Sequence, residues 1–207
     1  MVDMRLKGRD FVITLDKSGS MSSNVKSGYT RWQQGQEYVT AMARYVTKND
    51  LDPDGIKVVV FSGRANVYDN VTEEKVQEVF ETEEPMGSTN LTNALEISFQ
   101  DYLARKAAGE TNGGELNIVL TDGEPNDRKS VMASIAKFTK QLDSDDEYGI
   151  SFIQVGNDAG ATEFLQALDD KLEGAGAKFD IVDTKTCDQI DELGLSIEEI
   201  LVAALDD

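Results

Sequence analysis

Asp10-Phe11-Val12-Ile13-Thr14-Leu15-Asp16-Lys17-Ser18-Gly19-Ser20-Met21 is the stretch whose reading decides the fold of this chain. Its first half is a short apolar run rich in β-branched residues, the pattern of a strand covered on both faces. Its second half is a tight loop from which one carboxylate and two hydroxyls project, those of Asp16, Ser18 and Ser20, with Gly19 letting the chain curl. A buried strand that ends in a cluster of small oxygen-bearing side chains is what an open α/β sheet presents at a ligand site.

The same grammar repeats outward from this stretch. Ile56–Phe61 and Leu116–Leu120 are further runs of the kind, followed by Ile150–Val155 and Phe179–Val182. A weaker run, Ala65–Tyr68 after the Gly63 turn, reads as a hairpin edge strand. Helical spacing lies between the runs. Val39, Met42, Ala43 and Val46, behind a Thr30 and Gln33 pair of capping-box type, predict a first helix over about 30–48. Leu91, Leu95, Phe99 and Tyr102, then Val131, Ile135 and Phe138, then Phe164, Leu165 and Leu168 each mark one buried helix face. Two more capping pairs, Thr186 with Gln189 and Ser196 with Glu199, flank Gly194 and predict a short helix that breaks and restarts.

Strands alternating with helices predict an α/β fold. The expected form is a Rossmann-like, doubly wound, mostly parallel six-stranded sheet in the order 3-2-1-4-5-6, with one antiparallel edge strand and helices on both faces. With 207 residues and no linker, repeat or low-complexity tract, a single domain over 1–207 is expected, its core at about 10–205.

Composition narrows the chemistry. Lys+Arg 20 against Asp+Glu 39 leaves a formal net charge of -19, a field that repels phosphate backbones and anionic lipid. Nucleic acid and membrane are therefore poor partners, and cations are natural ligands. Histidine is absent, which excludes Ser-His-Asp and Cys-His nucleophiles and every His-ligated zinc or iron site. Cys187 is the one cysteine, so there is no disulfide framework, and its reading is structural. No run approaches the roughly 18 apolar residues of a membrane span, and the first residues lack a signal-peptide core, so a cytoplasmic location is expected.

Three loops at strand ends carry the candidate site. The first supplies Asp16, Ser18 and Ser20. The fourth strand ends in Thr121-Asp122-Gly123, which brings Asp122 to the same edge if strands one and four are neighbours. The third loop, Gly87-Ser88-Thr89-Asn90, opens a helix and offers the Thr89 hydroxyl. An all-oxygen set of Asp16, Ser18, Ser20, Thr89 and Asp122 suits a hard cation. Compact ligands that leave room for water favour Mg²⁺, with Mn²⁺ as a substitute and Ca²⁺ the remaining alternative.

D-x-S-x-S, then a Gly-x-Thr-Asn at a helix start, then a strand ending T-D-G, resembles the von Willebrand factor A domain and its metal-ion-dependent adhesion site, over about Asp10 to Asp207. The resemblance implies that Ser18, Ser20 and Thr89 are hydroxyl ligands, with Asp16 and Asp122 acting directly or through water. It implies a non-enzymatic, monomeric protein-binding module that uses Mg²⁺ to capture a partner's Asp or Glu. The module itself would be an adaptor or component of an intracellular assembly, with an AAA+ ATPase or a stress-response complex as a partner. Ser88 stands where members often carry a second glycine, which leaves the path of that loop open.

The rival reading is a Mg²⁺-dependent phosphatase of haloacid-dehalogenase type, which also places an Asp after the first strand. That chemistry needs a second Asp two residues on, and Ser18 stands there. Blander readings attend the flanks. The run Asp143–Glu147 is a solvated loop; Lys17 and Glu124 are either solvent-exposed or determinants of partner specificity. Tyr29, Trp32 and Met21 lie just beyond the first loop and are candidates for its rim, with inward packing the alternative for Trp32.

Overall fold

The architecture follows from the two-residue period of the strands. In the computed structural model, which describes residues 2–25, 28–111 and 113–206, β1 (Asp10–Asp16) sends Phe11, Ile13 and Leu15 to one face of the sheet and Val12 to the other. In β2 (Ile56–Phe61), Ile56, Val58 and Val60 join the first face, and Val59 and Phe61 the second. Both faces are apolar because helices cover both. The two ends of the expected 1–207 span lie outside the described residues.

Four more strands complete the sheet: β3 (Ala65–Val71), β4 (Glu115–Thr121), β5 (Tyr148–Gln154) and β6 (Val182–Thr186). Their order is β3-β2-β1-β4-β5-β6, with only the β2–β3 pair antiparallel. This is the expected doubly wound order with its one antiparallel edge. The last strand begins later than expected: Phe179 and Ile181 precede β6, although the Ile150 N–H already donates to the Ile181 carbonyl at 2.7 Å.

One core lies under α1 (Arg31–Lys48), α2 (Glu73–Thr82) and α7 (Ile197–Ala203); it holds Met42, Val46, Val76, Val79, Ile200 and Leu201 against β1, β2 and β4. The other lies under α3 (Leu91–Ala108), α4 (Arg128–Thr139) and α5 (Ala159–Lys171), where Phe99 stacks on Phe138 at 4.0 Å and Tyr148 meets both edge-on. Asn117, buried within the second layer, accepts from the Thr14 hydroxyl at 2.9 Å and donates to the Tyr148 hydroxyl at 3.2 Å, which pairs these three polar groups of β1, β4 and β5, whereas Ser151 Oγ in β5 is buried without a partner among the described residues.

The helix ends obey the expected capping. Thr30, Thr186 and Ser196 each form a complete capping box with Gln33, Gln189 and Glu199 at the starts of α1, α6 (Cys187–Leu193) and α7. Gly194, at φ +64°, closes α6 in the left-handed conformation and lets α7 restart. The functional consequence lies in the sheet order. After β1 the chain winds outward through β2 and β3, then returns to place β4 on the other side of β1, so the crevice at the strand ends opens between β1 and β4.

Candidate functional site

Asp16 ends β1 and Asp122 follows β4, and both carboxylates are fully buried at the shared carboxyl edge. Asp16 Oδ1 accepts the Ser18 backbone N–H at 2.7 Å, and its Oδ2 accepts the Thr121 hydroxyl at 2.7 Å. Burial pushes this carboxyl up to about 6, and the nearby Asp122 charge adds to the rise; the bonds from Ser18 and Thr121 oppose it. Two buried carboxylates brought to one edge are an environment that a cation stabilises.

A chain of oxygens runs across the crevice. Ser18 Oγ lies 3.0 Å from Ser20 Oγ, and the Ser20 hydroxyl donates to Asp122 Oδ1 at 2.8 Å. Oxygens held by Mg²⁺ at roughly 2.0–2.1 Å stand about 2.9 Å apart along an octahedral edge, so this spacing fits the donors of one such shell. Among the described residues no group of three or more acidic or Cys side chains is gathered for a metal. A set dominated by hydroxyls has that character.

Thr89 reaches the same edge through its backbone. The Gly19 N–H donates to the Gly87 carbonyl at 3.2 Å, and the Met86 N–H to the Lys17 carbonyl at 2.7 Å, which ties the Thr89 loop to the Asp16 loop. On the other side the Asn126 N–H donates to the Thr89 carbonyl at 3.0 Å, and Asn126 Oδ1 accepts the Thr89 N–H at 3.3 Å, which ties it to the loop after Asp122. Gly87, at φ +85°, supplies the left-handed turn that these bonds need. Ser88 is exposed and takes no positive φ, so a second glycine is not required here. Asp16, Ser18, Ser20 and Asp122 thus join in one hydrogen-bond chain. Thr89 sits beside them, and its hydroxyl makes no bond to them among the described residues.

One component escaped sequence reasoning. Arg31 Nη1 donates to Asp122 Oδ2 at 2.6 Å, so a guanidinium shares the second carboxylate with Ser20. Its Nε is buried without a partner among the described residues, and it lies over Gly156, whose φ is +84° and whose added Cβ would fall 2.6 Å from that nitrogen. A signal existed. Arg31 is the first residue of α1, where a cation runs against the helix dipole and so needs an anionic partner elsewhere.

The flanking residues sort themselves. Lys17 turns away from the crevice and its ammonium sits 2.5 Å from Glu83 Oε2; Glu124 pairs with Arg128. Met21 is fully buried, and Trp32 packs inward, its ring 4.6 Å from that of Phe80, which leaves Tyr29 exposed near the rim. Cys187 is buried, and that burial pushes its thiol up to about 12, in keeping with a structural role.

The sheet order and the crevice between β1 and β4 define a doubly wound α/β domain. A family model described as von Willebrand factor type A domain matches residues 11–124, from β1 through the Asp122 loop, and the chain belongs to that family. No curated protein matches the chain. Solved structures share the fold at low identity. An aerotolerance-related membrane protein from Bacteroides fragilis superposes with TM-score 0.63 at 14% identity, over 96% of this chain and 99% of that one. The SpRpn10 VWA domain gives 0.63 at 12% identity over 86% and 87%. The manganese-loaded Plasmodium vivax TRAP protein gives 0.58 at 17% identity over 91% and 72%.

Proposed function

We propose that this chain is a non-enzymatic protein-binding module in which Asp16, Ser18, Ser20, Thr89 and Asp122 hold a Mg²⁺ ion that captures an Asp or Glu of a partner protein. The observation that carries the reading is the oxygen chain Ser18–Ser20–Asp122 at 3.0 and 2.8 Å, beside the buried Asp16 and between loops stitched to one another. Membership of the von Willebrand factor type A family supports an interaction role, and the manganese-loaded state of TRAP is in keeping with a divalent ion in this fold.

The chemistry follows from charge and hardness. When bound, the metal would supply a Lewis-acidic position for an outside carboxylate. The carboxylates of Asp16 and Asp122 together match the ion's charge, the three hydroxyls add none, and Arg31 beside Asp122 adds a further positive charge, so the pole would turn locally positive on a chain of net charge -19. An acidic partner is thereby attracted where the rest of the surface repels it. Among the described residues no helix is long and apolar enough to cross a membrane. We place the module in the cytoplasm, as a monomer within a larger assembly.

The immobilised chain should retain its partner in Mg²⁺, release it in EDTA, and retain none when Thr89→Ala replaces the wild type. Retention that ignores both EDTA and the substitution would overturn the reading.

A further inference from the structure

At the opposite end of β1, about 20 Å from Asp16 at the usual rise per residue of a strand, a second polar site has no role in metal capture. Arg9 precedes β1 and is only 6% exposed. Its Nε donates to the Arg5 carbonyl at 2.7 Å, yet its Nη1 is buried without a partner, and no carboxylate forms an ion pair with it among the described residues. Burial shifts this guanidinium down from its ordinary value, and Asp146 opposes that shift from beyond ion-pair distance.

The surroundings are shaped to keep the cation there. Gly114, at φ +87°, lies where an added Cβ would come within 2.7 Å of Arg9 Nη1, and a Cβ on Gly113 would fall 2.5 Å from the Gly8 carbonyl oxygen. Two successive glycines therefore let the strand-entry loop of β4 press onto the backbone of Gly8 and Glu147, and the missing side chain at Gly114 leaves room for the guanidinium. A buried charge without a counter-ion is among the costlier features a fold can carry, and a methionine would fill the same space without that cost. The cation is explained if an anion arrives.

A cavity of about 510 Å³ opens beside it, lined by Arg5, Arg9, Lys106, Thr111 and Ser144 and also by the acids Asp146 and Glu147. Lys106 is engaged by Glu147 at 2.8 Å and Asp143 at 2.9 Å, and Arg5 by Asp3 and Asp206, so among the described residues Arg9 is the cation of this cavity that forms no ion pair, with Asp146 offsetting its charge only from a distance. Positive side chains and hydroxyls reach the cavity from the segment before β1, from α3 and from the loop before β5. That multi-sided donor set suits a tetrahedral oxyanion more than a planar carboxylate.

We propose that this cavity binds a phosphate group, with Arg9 as its counter-charge and Lys106, Arg5, Ser144 and Thr111 as donors around it. The volume exceeds that of inorganic phosphate, so the group is carried on a small phosphoester.

The test is thermal unfolding of the metal-free chain in EDTA with inorganic phosphate, glycerol phosphate or chloride at equal ionic strength. Both phosphates should raise Tm by a few degrees over chloride, glycerol phosphate more than inorganic phosphate. Arg9→Met should abolish the response while leaving the ligand-free Tm at or above wild type, and Lys106→Gln should weaken the apparent affinity about 3- to 10-fold. Equal Tm in phosphate and chloride overturns the proposal, as does a full response in Arg9→Met. If that variant does not fold, an unchanged response in Lys106→Gln overturns it. A larger shift with inorganic phosphate than with the ester overturns the small-phosphoester assignment. None of these arms involves Mg²⁺, so they stand or fall apart from the metal reading.

Discussion

Glu83→Gln tests how the metal loop is anchored. Glu83, at 3% side-chain exposure, sits under the loop that carries Asp16, Ser18 and Ser20. Its Oε2 receives the Lys17 ammonium at 2.5 Å, and its Oε1 accepts from Asn66 Nδ2 at 2.6 Å and from the Tyr68 hydroxyl at 2.7 Å. Burial by itself would raise this carboxyl, but the bonds from Lys17, Asn66 and Tyr68 outweigh it and hold the group below the usual range. A glutamine keeps the Oε1 acceptor and sets an NH₂ donor against the ammonium, so Lys17, 14% exposed, is left without its counter-charge. Breaking one side of a buried pair costs about 3–5 kcal/mol, and because two of three bonds survive the lower figure is expected, about 3 kcal/mol. At about 2–4 °C per kcal/mol for a chain of this size, Tm should fall by about 6–12 °C. Urea unfolding monitored by circular dichroism gives the free energy. Adding Lys17→Met to Glu83→Gln should recover most of the loss, since the unpaired charge is gone. A Tm change under about 2 °C, or a double variant no more stable than Glu83→Gln, would refute the anchoring argument.

Three further outcomes follow from the same geometry. Glu115 is fully buried at the start of β4 beside Arg105, and burial pushes it up to about 7 against the opposing Arg105 charge. A folded-state value above the unfolded one gives stability that is present at low pH and lost as pH rises toward 7. Metal-free chain should therefore lose about 2–3 kcal/mol from this group between about pH 4.5 and 7.5, and Glu115→Gln should flatten that part of the profile in urea titrations. Gly156→Ala would place a methyl 2.6 Å from Arg31 Nε at a positive φ, so it should displace Arg31 from Asp122, lower Tm and alter Mg²⁺ affinity together; unchanged affinity would show that the Arg31 contact is inert. Gly149, in β5, faces the Ala204 carbonyl oxygen at 2.5 Å and Leu116 Cδ2 of β4 at 2.7 Å from an added Cβ; the side chain can turn aside but the backbone carbonyl cannot, so Gly149→Ala should loosen α7 and raise hydrogen exchange there before it affects β1.

The fold was legible where burial is two-sided. β1, β2, β4 and β5 read as short, largely apolar runs because helices cover both faces, and the capping boxes at Thr30, Thr186 and Ser196 announced their helices through local bonds alone. β6 was placed a few residues early because Val182–Thr186 is polar and pairs on one side only, while Phe179 and Ile181 supplied the apolar signal just before it. Helix α2 gave no clear stripe, since only Val76, Val79 and Phe80 are buried in a segment otherwise rich in glutamate. Within the site, Asp16, Ser18, Ser20 and Asp122 could be read together because each lies at or just past a strand end, and strand order alone makes them neighbours. The pairs Arg31–Asp122 and Lys17–Glu83 could not, because they join residues 91 and 66 positions apart and no period of the chain links them.

Calorimetric titration of Mg²⁺ into the wild type, Thr89→Ala and Asp122→Ala tests the central claim most directly. Saturable one-site binding to the wild type, weakened roughly 10- to 100-fold by either substitution while circular dichroism stays native, is the expected result. No heat from the wild type, or equal affinity in all three proteins, would contradict the assignment of these loops to a metal.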